Sequence, residues 1–179
     1  MQRVGVKRLL LLRHAEAEPV HPNAPAAAAN DFDRALTAHG RTQALQAAHR
    51  LRHERLLPDL MLVSPALRTR ETAHIVAAYL ECLSTLRCEP EGYPGTAATW
   101  LQLVRQIGPS IGTLVLVGHN PGLSDLARRL VARTTSRDGA DGASSELPDL
   151  ATAGLLSFSL TDGWSLIGTT PIASVSLLA

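Results

Sequence analysis

Leu9-Leu10-Leu11-Leu12-Arg13-His14-Ala15-Glu16 is an apolar run that breaks off in an arginine–histidine pair. A short run of this kind, bounded by charge, reads as a strand buried on both faces, here over residues 6–12. In α/β sheets ligands gather at the carboxyl ends of the strands, which is where this pair stands. An imidazole there can act as a nucleophile, and a guanidinium beside it can hold an anionic group in its planar fork.

Outward from this stretch, strands and helices alternate. Residues 38–56 read as a helix with Thr37 as N-cap and Ala44, Ala48 and Leu51 on its apolar stripe. Leu60-Met61-Leu62-Val63 is a second buried run, stopped at Pro65 and followed by a helix to about Leu80. A weak strand is expected at 86–89, a helix at 96–107, a third clear strand at 113–117, and a helix through Leu123, Leu126, Ala127 and Leu130. Residues 153–160 and 164–169 read as a closing strand pair with Asp162-Gly163 as the turn. This alternation predicts an α/β fold, a three-layer α/β/α sandwich whose mostly parallel sheet carries helices on both faces. Two stretches interrupt it: the Pro- and Ala-rich residues 21–30 and the polar, mobile-looking residues 134–149.

The bulk properties fit one domain over residues 1–179. Apolar residues make up 45% and aromatics 3%, so the core has to be built from Leu, Val, Ile and Ala. A formal charge of +1, with no basic or acidic block, argues against nucleic acid or a membrane surface as partner. Arg3, Lys7 and Arg8 before four leucines faintly resemble a signal peptide, but Arg13 cuts the apolar run short. With Cys82 and Cys88 as the two cysteines, reduced thiols and a cytoplasmic location are expected.

Each of the three best strands ends in a polar cluster. These are Arg13-His14, then Ser64-Pro65 with Arg68 on the next helix, then Gly118-His119-Asn120-Pro121-Gly122. Parallel strands bring such clusters to one edge of the sheet. Two arginines and two histidines at one edge suit a phosphoryl group, with the guanidinium forks on its non-bridging oxygens. Helix N-termini after Pro65 and Pro121 would add backbone N–H donors.

The ordered set of these motifs resembles the histidine phosphatase superfamily, and within it the short bacterial phosphohistidine phosphatase SixA group. It comprises Arg13-His14, Asp33-Arg34-Ala35-Leu36-Thr37-Ala38-His39-Gly40, Ser64-Pro65-Ala66-Leu67-Arg68-Thr69-Arg70-Glu71-Thr72-Ala73 and Val117-Gly118-His119-Asn120-Pro121-Gly122. The resemblance implies that His14 is the nucleophile that becomes phosphorylated. Arg13 and Arg68 would clamp the phosphate, His119 would donate to the phosphoryl oxygens as a cation, and Arg34 would face the same pocket. Asn120 joins the expected substrate-binding set. No metal or other cofactor is implied. Ala15 stands where many members have glycine, and Ala35 where proline is frequent.

The general acid is the weak point of the pattern. Glu91 is the first candidate, then Glu89 and Glu16. An alkoxide leaving group needs a positioned acid, whereas an imidazole, with a pKa of roughly 6.5, departs far more easily. The expected activity is therefore dephosphorylation of phosphohistidine on a signalling or phosphotransfer protein. The alternatives are a small phosphate ester as substrate, or a phosphate-binding module with little turnover.

Other residues have plainer readings. Arg34 could instead pair with Asp31 or Asp33, and Ser64 reads as a helix-start residue. His49 and His53 have a metal-ligand spacing but lie among charges on a solvated helix face. Trp100 and Trp164 read as packing residues.

Overall fold

The computed structural model describes residues 6–20, 30–135, 147 and 149–178. Six strands form one sheet: β1 (Lys7–Arg13), β2 (Leu60–Val63), β3 (Leu86–Cys88), β4 (Thr113–Gly118), β5 (Leu155–Leu160) and β6 (Ser174–Leu178). Their order is β3-β2-β4-β1-β5-β6. The first four are parallel, while β5 runs antiparallel to both β1 and β6. The helices are α1 (Ala38–His53), α2 (Leu67–Tyr79), α3 (Ala97–Arg105) and α4 (Gly122–Thr135).

The alternation of side chains along a strand explains the three layers. Leu9 and Leu11 of β1 enter a core with α3 and α4, including Trp100, Val104, Leu126 and Leu130. Leu10 and Leu12 enter the opposite core with α1 and α2, including Ala48, Leu51, Val76 and Ala77. All four leucines are fully buried, as a strand covered on both faces requires. Thr37 caps α1 by accepting from the Gly40 N–H at 2.8 Å.

The closing strand pair differs from the sequence expectation. Residues 164–169 do not pair with β5: Trp164–Leu166 is a 3-10 turn, and the partner strand is β6. Trp164 is buried, and its indole N–H donates to the Ile111 carbonyl at 2.9 Å, so it anchors the segment across the core face. Gly168, at φ 74°, then turns the chain towards β6. Asp162-Gly163 is thus part of a longer connection. The interrupting stretches lie mostly outside the described residues; of them, Asn30 caps a 3-10 turn at Asp31–Asp33, and residues 134–135 complete α4.

At Gly40, α1 presses its N-terminus onto the loop after His14. A Cβ there would collide with the Glu16 carbonyl oxygen, which also accepts the Thr37 N–H at 3.1 Å. Gly40→Ala is expected to destabilise the fold by about 1–3 kcal/mol, the usual range for overpacking. Urea unfolding of the variant against the parent measures it.

Candidate active site

The backbone around His14 is tied to neighbouring elements on several sides. Its N–H donates to the Gly118 carbonyl of β4, and its carbonyl accepts from the Ala153 N–H. The next N–H, of Ala15, donates to the Thr72 hydroxyl of α2 at 3.1 Å. The parallel register of β1 and β4 sets Arg13 opposite Gly118, so His14 and His119 leave adjacent strand ends side by side. Their ring centroids are 5.2 Å apart.

His14 has a defined tautomer. Its Nδ1 lies 2.7 Å from the Ala15 carbonyl oxygen, which can only accept. Nδ1 therefore carries the hydrogen, and Nε2 carries the lone pair. Burial is the main cause that pushes His14 down from an ordinary 6.5 to about 4, with Arg68, Arg13 and Arg34 adding like-charge repulsion against the Ala15 hydrogen bond. His119 is pushed down to about 3, first by burial and then by Arg68. The expectation of a cationic His119 is therefore corrected: at neutral pH both rings are uncharged.

These shifts have a definite sign. Protonation removes the His14 lone pair, so phosphorylation of His14 by an acid-stable phosphodonor is expected to hold level from pH 8 to about 5.5. It should fall as the pH drops through about 4. An acid limb near 6.5 would contradict the assignment. Both histidines bind protons in the unfolded chain before they do in the folded one. Stability should therefore decline as pH falls from about 6.5 towards 4, read as a lower urea midpoint.

The arginines divide their donors. Arg68 is 5% exposed and gives both terminal nitrogens to Asp31, one to its carbonyl and one to its carboxylate at 3.0 Å. Arg13 gives Nη1 to the Leu150 carbonyl at 2.7 Å. Among the described residues, four buried side-chain nitrogens have no protein partner: Arg13 Nε, Arg68 Nε, His119 Nδ1 and Trp100 Nε1. Three of the four belong to the expected site. A buried donor left unpaired costs about 1–3 kcal/mol, so the two free arginine nitrogens favour an acceptor-rich ligand. An oxyanion is such a ligand.

Arg34 and Asn120 are placed differently from the clamp residues. Arg34 donates Nε to the Glu18 carbonyl, Nη2 to the Ala17 carbonyl and Nη1 to the Asp31 carboxylate at 2.8 Å. It reaches the site through Asp31. Asn120 donates to the Leu150 carbonyl at 2.9 Å and accepts from Ser124, so its amide shapes the wall beside Arg13.

None of the carboxylates named as a general acid stands among these donors. Glu91 is exposed on a 3-10 turn, Glu89 pairs with Arg87, and Glu16 accepts from the Thr37 hydroxyl at 2.8 Å. The carboxylate that does meet the arginines is Asp31. It accepts from Arg34, Arg68 and, at 2.8 Å, the Tyr93 hydroxyl, and these partners outweigh its desolvation and hold it ionised far below the usual range. Tyr93 packs edge-on against His119 at 5.3 Å and against Phe32 at 5.1 Å.

Ser64 also differs from its sequence reading. The residue that caps α2 is Ala66, whereas the Ser64 hydroxyl, fully buried, lies 2.8 Å from His119 Nε2. His49 and His53 bond to Tyr79 and Glu54. No group of three or more His, Cys, Asp or Glu able to hold a metal occurs among the described residues. Nor is any described helix long and apolar enough to cross a membrane.

The family model of the histidine phosphatase superfamily (branch 1) matches residues 9–91, which carry Arg13, His14, Arg34, Ser64 and Arg68. The solved SixA protein of Nakamurella multipartitia superposes with a TM-score of 0.80 at 28% identity, over 96% of each chain. SixA of Agrobacterium tumefaciens gives 0.67 at 26% identity, over 86% of this chain and 92% of that one. An uncharacterized protein of Picosynechococcus sp. is 36% identical over 107 residues, 57% of this chain and 62% of that protein. The chain thus spans about three-fifths, 62% and 59%, of the curated relatives it matches. By motif and fold, the chain is similar to the histidine phosphatase superfamily and, within it, to the SixA proteins.

Proposed function

We propose that this protein is a phosphatase that works through a phosphohistidine intermediate on His14 and acts on phosphohistidine carried by a protein. The observation behind the His14 chemistry is the trio of unpartnered buried nitrogens, Arg13 Nε, Arg68 Nε and His119 Nδ1, beside the free lone pair of His14 Nε2. We read these nitrogens as a cradle for phosphoryl oxygens, with the His14 ring, 5.2 Å from that of His119, as the nucleophile. In the first step the substrate imidazole carries a proton from solvent on its other ring nitrogen; His14 Nε2 attacks phosphorus, the P–N bond breaks, and the ring leaves neutral with the electron pair. In the second, water attacks the phosphorus of phospho-His14, the P–Nε2 bond breaks, and phosphate leaves. Loose phosphoryl-transfer transition states need positioning and charge stabilisation above all, which the two guanidinium groups supply.

The choice of phosphohistidine as substrate rests on the carboxylates. Asp31, which meets Arg68 of the clamp, is held ionised, so it does not donate a proton. Glu16 and Glu89 are engaged elsewhere, and Glu91 is exposed. A site of this kind favours a leaving group that departs without a strong acid, as an imidazole does. The SixA proteins it resembles carry the phosphohistidine phosphatase name, in keeping with this chemistry.

The test is kcat/KM for a histidine-phosphorylated carrier protein, measured beside a panel of small phosphate esters. A large preference for the carrier is expected. A preference for one ester would overturn the protein substrate while leaving phospho-His14 chemistry in place. Absence of label on His14 with every donor would overturn both.

A further inference from the structure

We infer that Ser64 is a positioning residue that sets the tautomer of His119, so that the ring presents Nδ1–H to a phosphoryl oxygen. The identity of that oxygen rests on the proposed phosphoryl transfer; the tautomer does not.

Donors and acceptors in this buried place favour one arrangement: with hydrogen on Nδ1 that N–H alone lacks a protein partner, whereas with hydrogen on Nε2 both the Ser64 proton and the Nδ1 lone pair lack one. Ser64 ends β2 with no exposed surface. Its N–H donates to the Val117 carbonyl, and its own carbonyl accepts from the Thr69 hydroxyl at 2.7 Å. The remaining group, the hydroxyl, meets one polar atom among the described residues, His119 Nε2 at 2.8 Å. A serine hydroxyl has one proton to give. If Nε2 carried hydrogen, the hydroxyl could only accept, and its own proton would be buried without a partner. Given to Nε2, that proton satisfies both groups and places the ring hydrogen on Nδ1.

The other edge of the ring points to the same answer. His119 is 6% exposed, and Nδ1 is buried with no protein partner, beside His14 and within the field of Arg68. A bare lone pair there would face phosphoryl oxygens that are themselves acceptors, whereas Nδ1–H would donate to them. Burial and Arg68 keep the ring neutral at working pH, so there is a tautomer to be set. A donor that is neutral and fixed in advance needs no reorganisation as negative charge develops, the condition for electrostatic catalysis.

The test is 15N NMR of the histidine rings in the intact protein at pH 7, followed by titration with inorganic phosphate. His119 Nδ1 is expected to resonate as a protonated nitrogen and Nε2 as an unprotonated one, with the Nδ1 proton moving downfield on binding. In Ser64→Ala the two tautomers should mix. Its kcat on the phosphorylated carrier should fall about 10- to 100-fold, the scale for groups that orient a functional histidine, with KM little changed. Ser64→Thr, which keeps the hydroxyl, should restore most of kcat. A protonated Nε2 in the parent protein overturns the inference, as does Ser64→Ala with parental kcat. So does an Nδ1 proton unmoved by bound phosphate, which would make the Tyr93 ring its partner. If His14 accepts no label from any donor, the phosphatase proposal fails separately, and the spectra still decide the tautomer.

Discussion

His14→Ala is expected to lower turnover by at least about 10⁴-fold, the scale seen when a nucleophile acting as part of a unit is removed. Phosphate or vanadate should still bind, because the groups that hold the anion are other side chains. Arg13 Nε, Arg68 Nε and His119 Nδ1 keep their positions through Leu150, Asp31 and Ser64, none of which depends on the His14 ring. The substitution also leaves the backbone bonds of residue 14 to Gly118 and Ala153 in place. Isothermal titration with vanadate beside a turnover assay separates the two effects. Turnover surviving in the variant would remove His14 from the chemistry; lost binding as well would mean that the ring shapes the cradle.

Much of this arrangement is legible in the chain because the decisive residues sit where regular elements end. The leucine run of β1 announces a strand buried on both faces, and its break at Arg13-His14 marks the sheet edge. The same logic places Arg68 in the first turn of α2 and His119 after β4. Asp31 and Tyr93 are different. They lie in irregular segments, on a 3-10 turn and after another, and meet Arg68 only when the chain closes across the sheet edge. Periodicity carries no information about such a meeting. Asp31 is visible in the sequence as a partner for Arg34, but not as the shared counter-ion of both arginines. Ser64 misleads for a local reason: Ser-Pro before a helix looks like a cap, yet the helix starts only at Leu67 and leaves the hydroxyl free for His119. The 164–169 segment misleads because its composition is strand-like, and burial of Trp164 outweighs that preference.

Arg68→Ala is expected to reduce kcat/KM by about 10²–10³-fold, the range for loss of one donor to a developing oxyanion. Its pH dependence should report the cause. Arg68 repels a proton on His14 and on His119, so its removal raises both from their depressed values, and the acid limb of the rate should move to higher pH. Asp31 should rise as well, but it keeps Arg34 and Tyr93 and its side chain is 45% exposed, so the loss of one partner should cost little stability. Arg68→Lys separates charge from shape. An ammonium keeps the positive field, so the acid limb should stay near that of the parent. It cannot reach Asp31 with two nitrogens while offering a third to the ligand, so the rate should remain low. A lysine variant with parental kcat/KM would show that Arg68 serves by charge alone, and would make its unpartnered Nε irrelevant to the chemistry. An alanine variant whose acid limb does not move would show that burial, without help from the guanidinium, keeps His14 neutral.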